Sequence, residues 1–152
     1  MNEFDRIDNW LNQCITSNNE NIRRAILLSL KYCVEYDSDY SRREKLLSYM
    51  DLFLFDTSTY VKKSFDSFTI GDGFLNVCPE LVEIKFDYWC TLNNERVACS
   101  VIRAFKSSGG VKSWPLAKKY LDYYRSANSS SIQKALTATS NYLKKRINLE
   151  DY

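Results

Sequence analysis

Asn19-Glu-Asn-Ile-Arg-Arg-Ala25 is the stretch of sequence that decides the fold, because three later segments repeat its pattern. They are Ser58-Thr-Tyr-Val-Lys-Lys-Ser64, Asn94-Glu-Arg-Val-Ala-Cys-Ser100 and Ser129-Ser-Ser-Ile-Gln-Lys-Ala135. Each segment begins with polar residues that can cap a helix. It continues with a β-branched apolar residue and mostly basic residues, and it ends with a small residue. The four segments therefore indicate one structural unit that occurs four times.

The spacing of the four segments is typical of a helical-hairpin repeat. Their β-branched residues are Ile22, Val61, Val97 and Ile132, at intervals of 39, 36 and 35 residues. We predict that each segment opens the second helix of a hairpin, over residues 20–36, 58–70, 94–107 and 130–147. Amphipathic stretches predict the first helices, over residues 4–16, 39–55, 79–91 and 114–126. The expected fold is one all-α domain over residues 1–152, with hairpins at about 1–37, 38–74, 75–110 and 111–150.

Proline and glycine residues stand where this division of the chain needs them. Pro79 and Pro115 fall in the first turns of predicted helices, where the missing N–H of proline costs nothing. The glycines follow the second helices of the second and third hairpins, where a left-handed residue commonly closes a helix. These glycines are Gly71, Gly73, Gly109 and Gly110.

The composition limits the chemistry that the chain can perform. It contains no histidine, so it cannot build a Ser-His-Asp or Cys-His nucleophile or a histidine-containing metal site. Its five cysteines include no Cys-x-x-Cys pair, which favours a reduced compartment. The apolar runs are too short to span a membrane, and the N-terminus lacks the order of a secretion signal. We expect a cytoplasmic protein with no metal, no cofactor and no membrane partner.

Charge is unevenly distributed, although the net charge is only +2. Residues 1–60 carry seven basic and ten acidic side chains, whereas residues 61–152 carry fourteen basic and nine acidic. The candidate binding residues are mostly cations near the starts of second helices, and they are Arg23, Arg24, Lys62, Lys63, Arg96, Arg103, Lys134 and Trp114. On one open face, such cations would neutralise successive phosphates of a nucleic acid. The alternative is that they pair with acidic groups or carbonyls of adjacent turns and hold the hairpins in register. Of the tryptophans, we expect Trp10 and Trp89 in the core and Trp114 exposed.

The second-helix pattern resembles that of HEAT-like repeats and, more narrowly, that of the bacterial DNA-alkylation-repair family, which includes alkylpurine glycosylases. The residues that carry the resemblance are Asn21–Ala25, Tyr60–Ser64, Pro79–Val82, Trp89 and Arg96–Ala104. The resemblance implies a right-handed α-solenoid whose second helices line a concave face. Family glycosylases are longer, so this chain looks truncated. They also place tryptophans and an aspartate beside the lesion, and here only Asp87-Tyr88-Trp89 offers such residue types, within an apolar stripe.

Three functions are compatible with these observations. The leading hypothesis is a non-catalytic repeat protein that binds a DNA backbone or a protein on its concave face, because no catalytic residue can be assigned. The first alternative is a DNA glycosylase that excises alkylated bases, in which a carboxylate stabilises the developing cationic sugar and an arginine holds the phosphate. The second alternative is a small protein-binding inhibitor or scaffold. The fold does not decide among the three.

Overall fold

The computed structural model describes residues 3–148, and every regular element in this range is a helix. The α-helices are α1 Glu3–Ile15, α2 Glu20–Tyr36, α3 Tyr40–Ser48, α4 Thr59–Lys63, α5 Leu75–Val77, α6 Pro79–Cys90, α7 Glu95–Ala104, α8 Ser108–Lys112, α9 Trp114–Tyr124 and α10 Ser130–Lys144. A 3₁₀ segment over Tyr49–Phe53 extends α3, and a π-helical segment over Ser64–Phe74 joins α4 to α5. The all-α prediction is therefore confirmed. The ends of the predicted domain, residues 1–2 and 149–152, lie outside the described residues.

The four repeated segments each start a helix in the way that their cap residues predict. The cap side chains accept hydrogen bonds from backbone N–H groups two or three residues later: Asn19 from Asn21, Ser58 from Val61, Asn94 from Arg96 and Val97, and Ser129 from Ile132. These bonds satisfy N–H groups that the first turn of a helix leaves unpaired. The helices begin at Glu20, Thr59, Glu95 and Ser130, each within one residue of its predicted start.

The second helices pack against one another in chain order. α2 packs against the π segment, the π segment packs against α7, and α7 packs against α10. Two buried threonines link these neighbours: Thr69 Oγ1 donates to the Leu27 carbonyl, and Thr139 Oγ1 donates to the Ile102 carbonyl. Both threonines are wholly buried, so each hydroxyl needs its partner in the preceding hairpin. The apolar residues between the helices form one core cluster.

A recurring polar contact links the first helices. In three successive contacts, an aspartate of one hairpin pairs with a lysine of the next hairpin and accepts a hydrogen bond from an aromatic side chain beside that lysine. The sets are Asp8 with Lys45 and Tyr49, Asp51 with Lys85 and Trp89, and Asp87 with Lys119 and Tyr120. Because the partners lie about one repeat apart in the sequence, these contacts tie each hairpin to its neighbour.

The core contains one of the two expected tryptophans. Trp89 is buried and stacks on Phe86, with ring centroids 5.5 Å apart. The prediction that Trp10 is a core residue is wrong, because 56% of this side chain is exposed on α1. Trp114 was expected on the surface, and it is half-buried at the start of α9. Helical spacing alone placed Trp10 in an apolar stripe, but no described element covers that part of α1.

The prediction that the glycines close helices with a left-handed residue is wrong. Among the described residues only Asn93 has a positive φ, of 47°. Two of the glycines lie inside the π segment and two inside α8, a helix that the sequence did not predict. Gly71 and Gly109 instead allow two backbones to approach each other closely. A Cβ on Gly109 would lie 2.0 Å from the Gly71 carbonyl oxygen, and a Cβ on Gly71 would lie 2.3 Å from the Ala104 carbonyl oxygen. The missing side chains let α7 and α8 lie against the π segment.

We expect Gly109→Ala to lower the free energy of unfolding by about 1–3 kcal/mol, because the new methyl group would overlap the Gly71 backbone and push packed helices apart. Urea unfolding followed by circular dichroism measures the change. Gly73→Ala is the matched control, since a Cβ there lies 3.0 Å from Cγ of the flexible Lys31 side chain. Equal losses in the two variants would contradict the close-approach role of Gly109.

Candidate nucleic-acid interface

Three hollows that share lining residues lie side by side across the second helices. The first, of about 280 Å³, is lined by Arg24, Tyr60 and Lys63, and the second, of about 420 Å³, is lined by Lys63, Arg103 and Lys106. The third, of about 260 Å³, is also bordered by Arg103. We call this surface the basic groove and define it by Arg24, Tyr60, Lys63, Arg103 and Lys106. Two further residues, Lys62 and Asp66, line its second hollow and are largely buried beneath it.

Arg23 does not line the basic groove, because it forms hydrogen bonds that join the first two hairpins. Its Nε lies 2.7 Å from Asp56 Oδ2 and its second terminal nitrogen lies 3.2 Å from Asp56 Oδ1. The guanidinium also donates to the Ser17 carbonyl oxygen at 2.8 Å. Burial raises the pKa of Asp56, but the hydrogen bonds from Arg23 and the Ser58 N–H outweigh it and hold that pKa below its ordinary value. Arg23 is therefore paired with an acidic residue of the adjacent hairpin, which is the alternative role considered for these cations.

Lys62 is likewise engaged within the fold. Its Nζ donates to Ser100 Oγ at 2.5 Å and to the Leu54 carbonyl oxygen at 3.2 Å. It lies 3.7 Å from Asp66 Oδ1 and 4.5 Å from the centre of the Phe65 ring. Burial lowers the pKa of the Lys62 ammonium, although the Asp66 charge acts in the opposite direction. This lysine therefore joins the second hairpin to the third beneath the basic groove.

Asp66 is the functional candidate that sequence reasoning missed. It is only 4% exposed, it borders the second hollow, and its Oδ1 has no hydrogen-bond donor. Burial raises the pKa of Asp66 to about 6, although Lys62 and a hydrogen bond from Ser100 oppose the rise. A signal was present in the sequence, since Asp66 follows Lys62 by one helical turn and stands between Phe65 and Phe68. The carboxyl group of Asp66 therefore titrates close to neutral pH.

Besides the largely buried Lys62, four of the predicted cations border the hollows, and they differ in how many contacts they make within the fold. Arg24 donates to Ser64 Oγ at 2.9 Å and its guanidinium lies 4.8 Å from the centre of the Tyr60 ring. Arg96 borders the third hollow and donates to the Asp56 carbonyl oxygen at 2.8 Å. The exposed Lys63 and Arg103 donate no hydrogen bond to another described residue. These last two are the side chains most available to a partner.

Two predicted residues, Lys134 and Trp114, do not line the basic groove. Lys134 is exposed on α10, and Trp114 starts α9 in the first helix of the last hairpin. Lys106, which the sequence interpretation left out, does line the groove and is exposed. It follows Arg103 by three residues, so the two side chains project from neighbouring turns of the chain. The groove therefore lacks the predicted Lys134 of the last hairpin and contains Lys106, which was not predicted.

The acidic and cysteine side chains elsewhere in the described residues do not form a second candidate site. Asp87 of the Asp87-Tyr88-Trp89 motif is paired with Lys119 and Tyr120, so packing accounts for it. A hollow of about 380 Å³ between α7 and α9 contains Glu95, and hydrogen bonds from Ser129 and Ser131 lower the pKa of this glutamate. Within residues 3–148, no group of three or more acidic or cysteine side chains could hold a metal ion.

We expect the burial of Asp66 to make stability fall as pH rises from about 4 to about 7. Its folded-state pKa of about 6 exceeds the unfolded value of about 3.9, so the folded protein binds the extra proton in this window. The contribution of the neutral carboxyl group to the free energy of unfolding is complete below about pH 4, and it is lost as the pH rises through about 6. Relative to the wild type, Asp66→Asn should gain about 2–3 kcal/mol between pH 4 and pH 7, measured by urea unfolding at each pH.

Asp56→Asn serves as a control of opposite sign. The pKa of Asp56 is lowered in the folded state, so its contribution is present above about pH 4 and is lost as the solution becomes more acidic. The stability difference between Asp56→Asn and the wild type should therefore shift against the variant as pH rises toward about 4, and it should stay nearly constant from pH 4 to pH 7. A difference between Asp66→Asn and the wild type that stays constant from pH 4 to pH 7 would overturn the assignment for Asp66.

The described helices contain no membrane-spanning candidate, since none between residues 3 and 148 combines the necessary length and apolarity. Comparison of the chain with protein-family models, with curated proteins and with solved structures yields no significant match. The family resemblance drawn from the sequence therefore stays a prediction.

Proposed function

We propose that this chain is a non-catalytic HEAT-like repeat protein that binds the sugar–phosphate backbone of duplex DNA along the basic groove. The observation that carries the proposal is the position of Lys63, Arg103 and Lys106. These three exposed cations line one hollow that crosses the second and third hairpins. Spaced cations that contact successive phosphates give binding that depends little on base sequence and strongly on salt.

The contacts between hairpins support an α-solenoid as the scaffold for this groove. Second helices pack in chain order, and the first helices repeat the contact of an aspartate with a lysine and an aromatic side chain. We propose that about four HEAT-like hairpins stack into a right-handed solenoid with the groove on its concave face. In this arrangement each of the first three hairpins adds at least one cation to the same surface, as an extended polyanion requires.

The local balance of charge favours an anionic partner. Near the groove, Arg23 and Lys62 neutralise acidic groups of the fold and are largely buried. In the second hollow the exposed cations are Lys63, Arg103 and Lys106, and the acidic lining is Asp66 alone, which is already beside Lys62. The third hollow also contains Asp56 and Glu95, so the excess of positive charge lies in the second hollow. All five cysteines are free, which supports a reducing compartment such as the cytoplasm.

Lys63→Ala and Arg103→Ala should each weaken binding to duplex DNA and reduce the slope of log affinity against log salt concentration by about one. Each substitution removes one phosphate contact and the counterion release that accompanies it. Fluorescence anisotropy over a salt series measures both quantities. Lys118→Ala is the matched control, since Lys118 is exposed on α9 and does not line the groove.

Two results would contradict the DNA proposal. One is the absence of binding by the wild type at low salt, which would direct the search to a protein partner or to a scaffold role. The other is an equal effect of Lys118→Ala and Arg103→Ala, which would mean that net charge, and not the groove, governs the interaction.

One observation favours a second candidate, a DNA glycosylase that releases alkylated bases. Asp66 and Arg103 border the same hollow, and Asp66 Oδ1 has no hydrogen-bond donor. Cleavage of a glycosidic bond leaves positive charge on the sugar, which a carboxylate stabilises, while an arginine beside it could hold the adjacent phosphate. With a pKa of about 6, Asp66 is mostly ionised at neutral pH, as this chemistry requires.

Single-turnover incubation with methylated duplex DNA tests the second candidate, with the released purine as the readout. The glycosylase candidate predicts release by the wild type and a loss of about a hundredfold or more in Asp66→Asn, because the charge-stabilising group would be gone. Arg103→Ala should then reduce the rate as well. No release by the folded, DNA-bound wild type would eliminate this candidate and leave the binding function.

A further inference from the structure

The first hollow of the basic groove differs from the other two because aromatic rings line it beside cations. Its volume is about 280 Å³, and its lining residues are Arg24, Tyr60, Lys63, Ser64 and Phe68. None of these described residues is acidic. Tyr60 is 42% exposed, and Phe68 is partly exposed. We call this cavity the aromatic hollow.

The repeat itself does not require an aromatic side chain at the position of Tyr60. Tyr60 is the second residue after its helix cap, and the other second helices carry at this position Asn21, Arg96 and Ser131. All four residues are exposed, so this position lies outside the core between the hairpins. The exposed part of the Tyr60 ring is therefore available to a ligand.

Arg24 is held in place at one end of its guanidinium and is open at the other end. Its Nε donates to Ser64 Oγ at 2.9 Å, and its guanidinium carbon lies 4.8 Å from the centre of the Tyr60 ring. Neither terminal nitrogen donates to another described residue. In contrast, the guanidinium of Arg23 donates from all three of its nitrogens. A guanidinium with a fixed orientation and two free terminal nitrogens is suited to bind a phosphate through two parallel hydrogen bonds.

A second cation stands close to the exposed ring. Lys63 follows Tyr60 by three residues in α4, so the two side chains are neighbours on the helix surface. Lys63 is exposed and donates no hydrogen bond to another described residue. A ligand in the aromatic hollow would therefore meet two cations with free donors together with the rings of Tyr60 and Phe68.

These groups match the two parts of a nucleotide. The phosphate offers acceptors to the cations, and the base offers a flat face of the kind that stacks on aromatic side chains in proteins that bind single strands. An acidic side chain of a protein would pair with the cations but would bring no ring to Tyr60. Inside a duplex, neighbouring base pairs cover the faces of each base. An unpaired nucleotide is therefore the form of DNA that fits the aromatic hollow.

We propose that the aromatic hollow is a site for an unpaired nucleotide at the end of a DNA duplex. The base packs against Tyr60 and Phe68, and the phosphate binds Arg24 and Lys63. The site rests on the proposed function, because the cations of the second hollow must hold the adjoining duplex. It adds a preference for duplexes that carry a single-stranded overhang. Stacking tolerates any base, since every base has a flat π face.

Tyr60→Ala tests the site with two DNA probes that have the same duplex and the same number of phosphates. One probe ends in a short thymidine overhang, and the other ends in an overhang of abasic nucleotides, which has the same charge but no bases. In fluorescence anisotropy, the wild type should bind the thymidine probe about tenfold more tightly, as the stacking of one base allows. Tyr60→Ala should bind the two probes with nearly equal affinity, because the more exposed of the two rings is gone.

Tyr60→Phe is the matched control and should keep the preference, because the tyrosine hydroxyl makes no hydrogen bond with another described residue. Since Tyr60 is exposed, both variants should keep the helical circular dichroism of the wild type and a melting temperature close to its own. Arg24→Lys keeps the positive charge but loses the paired donors, so it should weaken the binding of both overhang probes.

The outcomes separate the site from the function on which it rests. If the wild type binds the duplex but has equal affinity for the two overhang probes, the site is overturned and the proposed function stands. A preference that persists in Tyr60→Ala would also overturn the site. Failure of the wild type to bind any probe at low salt would overturn the site together with the DNA-binding function.

Discussion

The structure depends on packing between successive pairs of helices, because the buried residues of one pair are covered by a helix of the neighbouring pair. Val61 and Val97 are wholly buried because the preceding second helix lies over them, whereas Ile22 at the same register is exposed. Polar groups follow the same rule. Thr69 and Thr139 find their acceptors in the preceding hairpin. Contacts between neighbouring hairpins thus set the register in which they pack.

This constraint also sorts the basic residues into two groups. Arg23 and Lys62 stand four residues after their caps, and both are tied to the following hairpin. Lys63 stands five residues after its cap and borders the basic groove. Neighbouring residues of a helix point about 100° apart, so a step of one residue moves a cation from the packed side of the helix to the open groove.

What could be predicted from the sequence is what depends on local chemistry. The caps at Ser58 and Asn94 fix where helices start, because their partners lie two or three residues away. Contacts with distant residues escaped prediction. Gly71 and Gly109 looked like helix-closing residues, yet their role depends on a backbone approach between hairpins. The candidate site was predicted in part for the same reason. Lys63 and Arg103 were predicted from their positions in the repeated pattern, whereas the burial of Asp66 depends on how distant helices pack.

The aspartate contact that recurs between the first helices has a different partner in the last described hairpin. In the last hairpin, Asp122 pairs with Arg125 of its own helix, whereas Asp8, Asp51 and Asp87 pair with the next hairpin. The aspartate of the last described hairpin thus finds its cation within one helical turn, whereas the earlier aspartates depend on a lysine of the next hairpin.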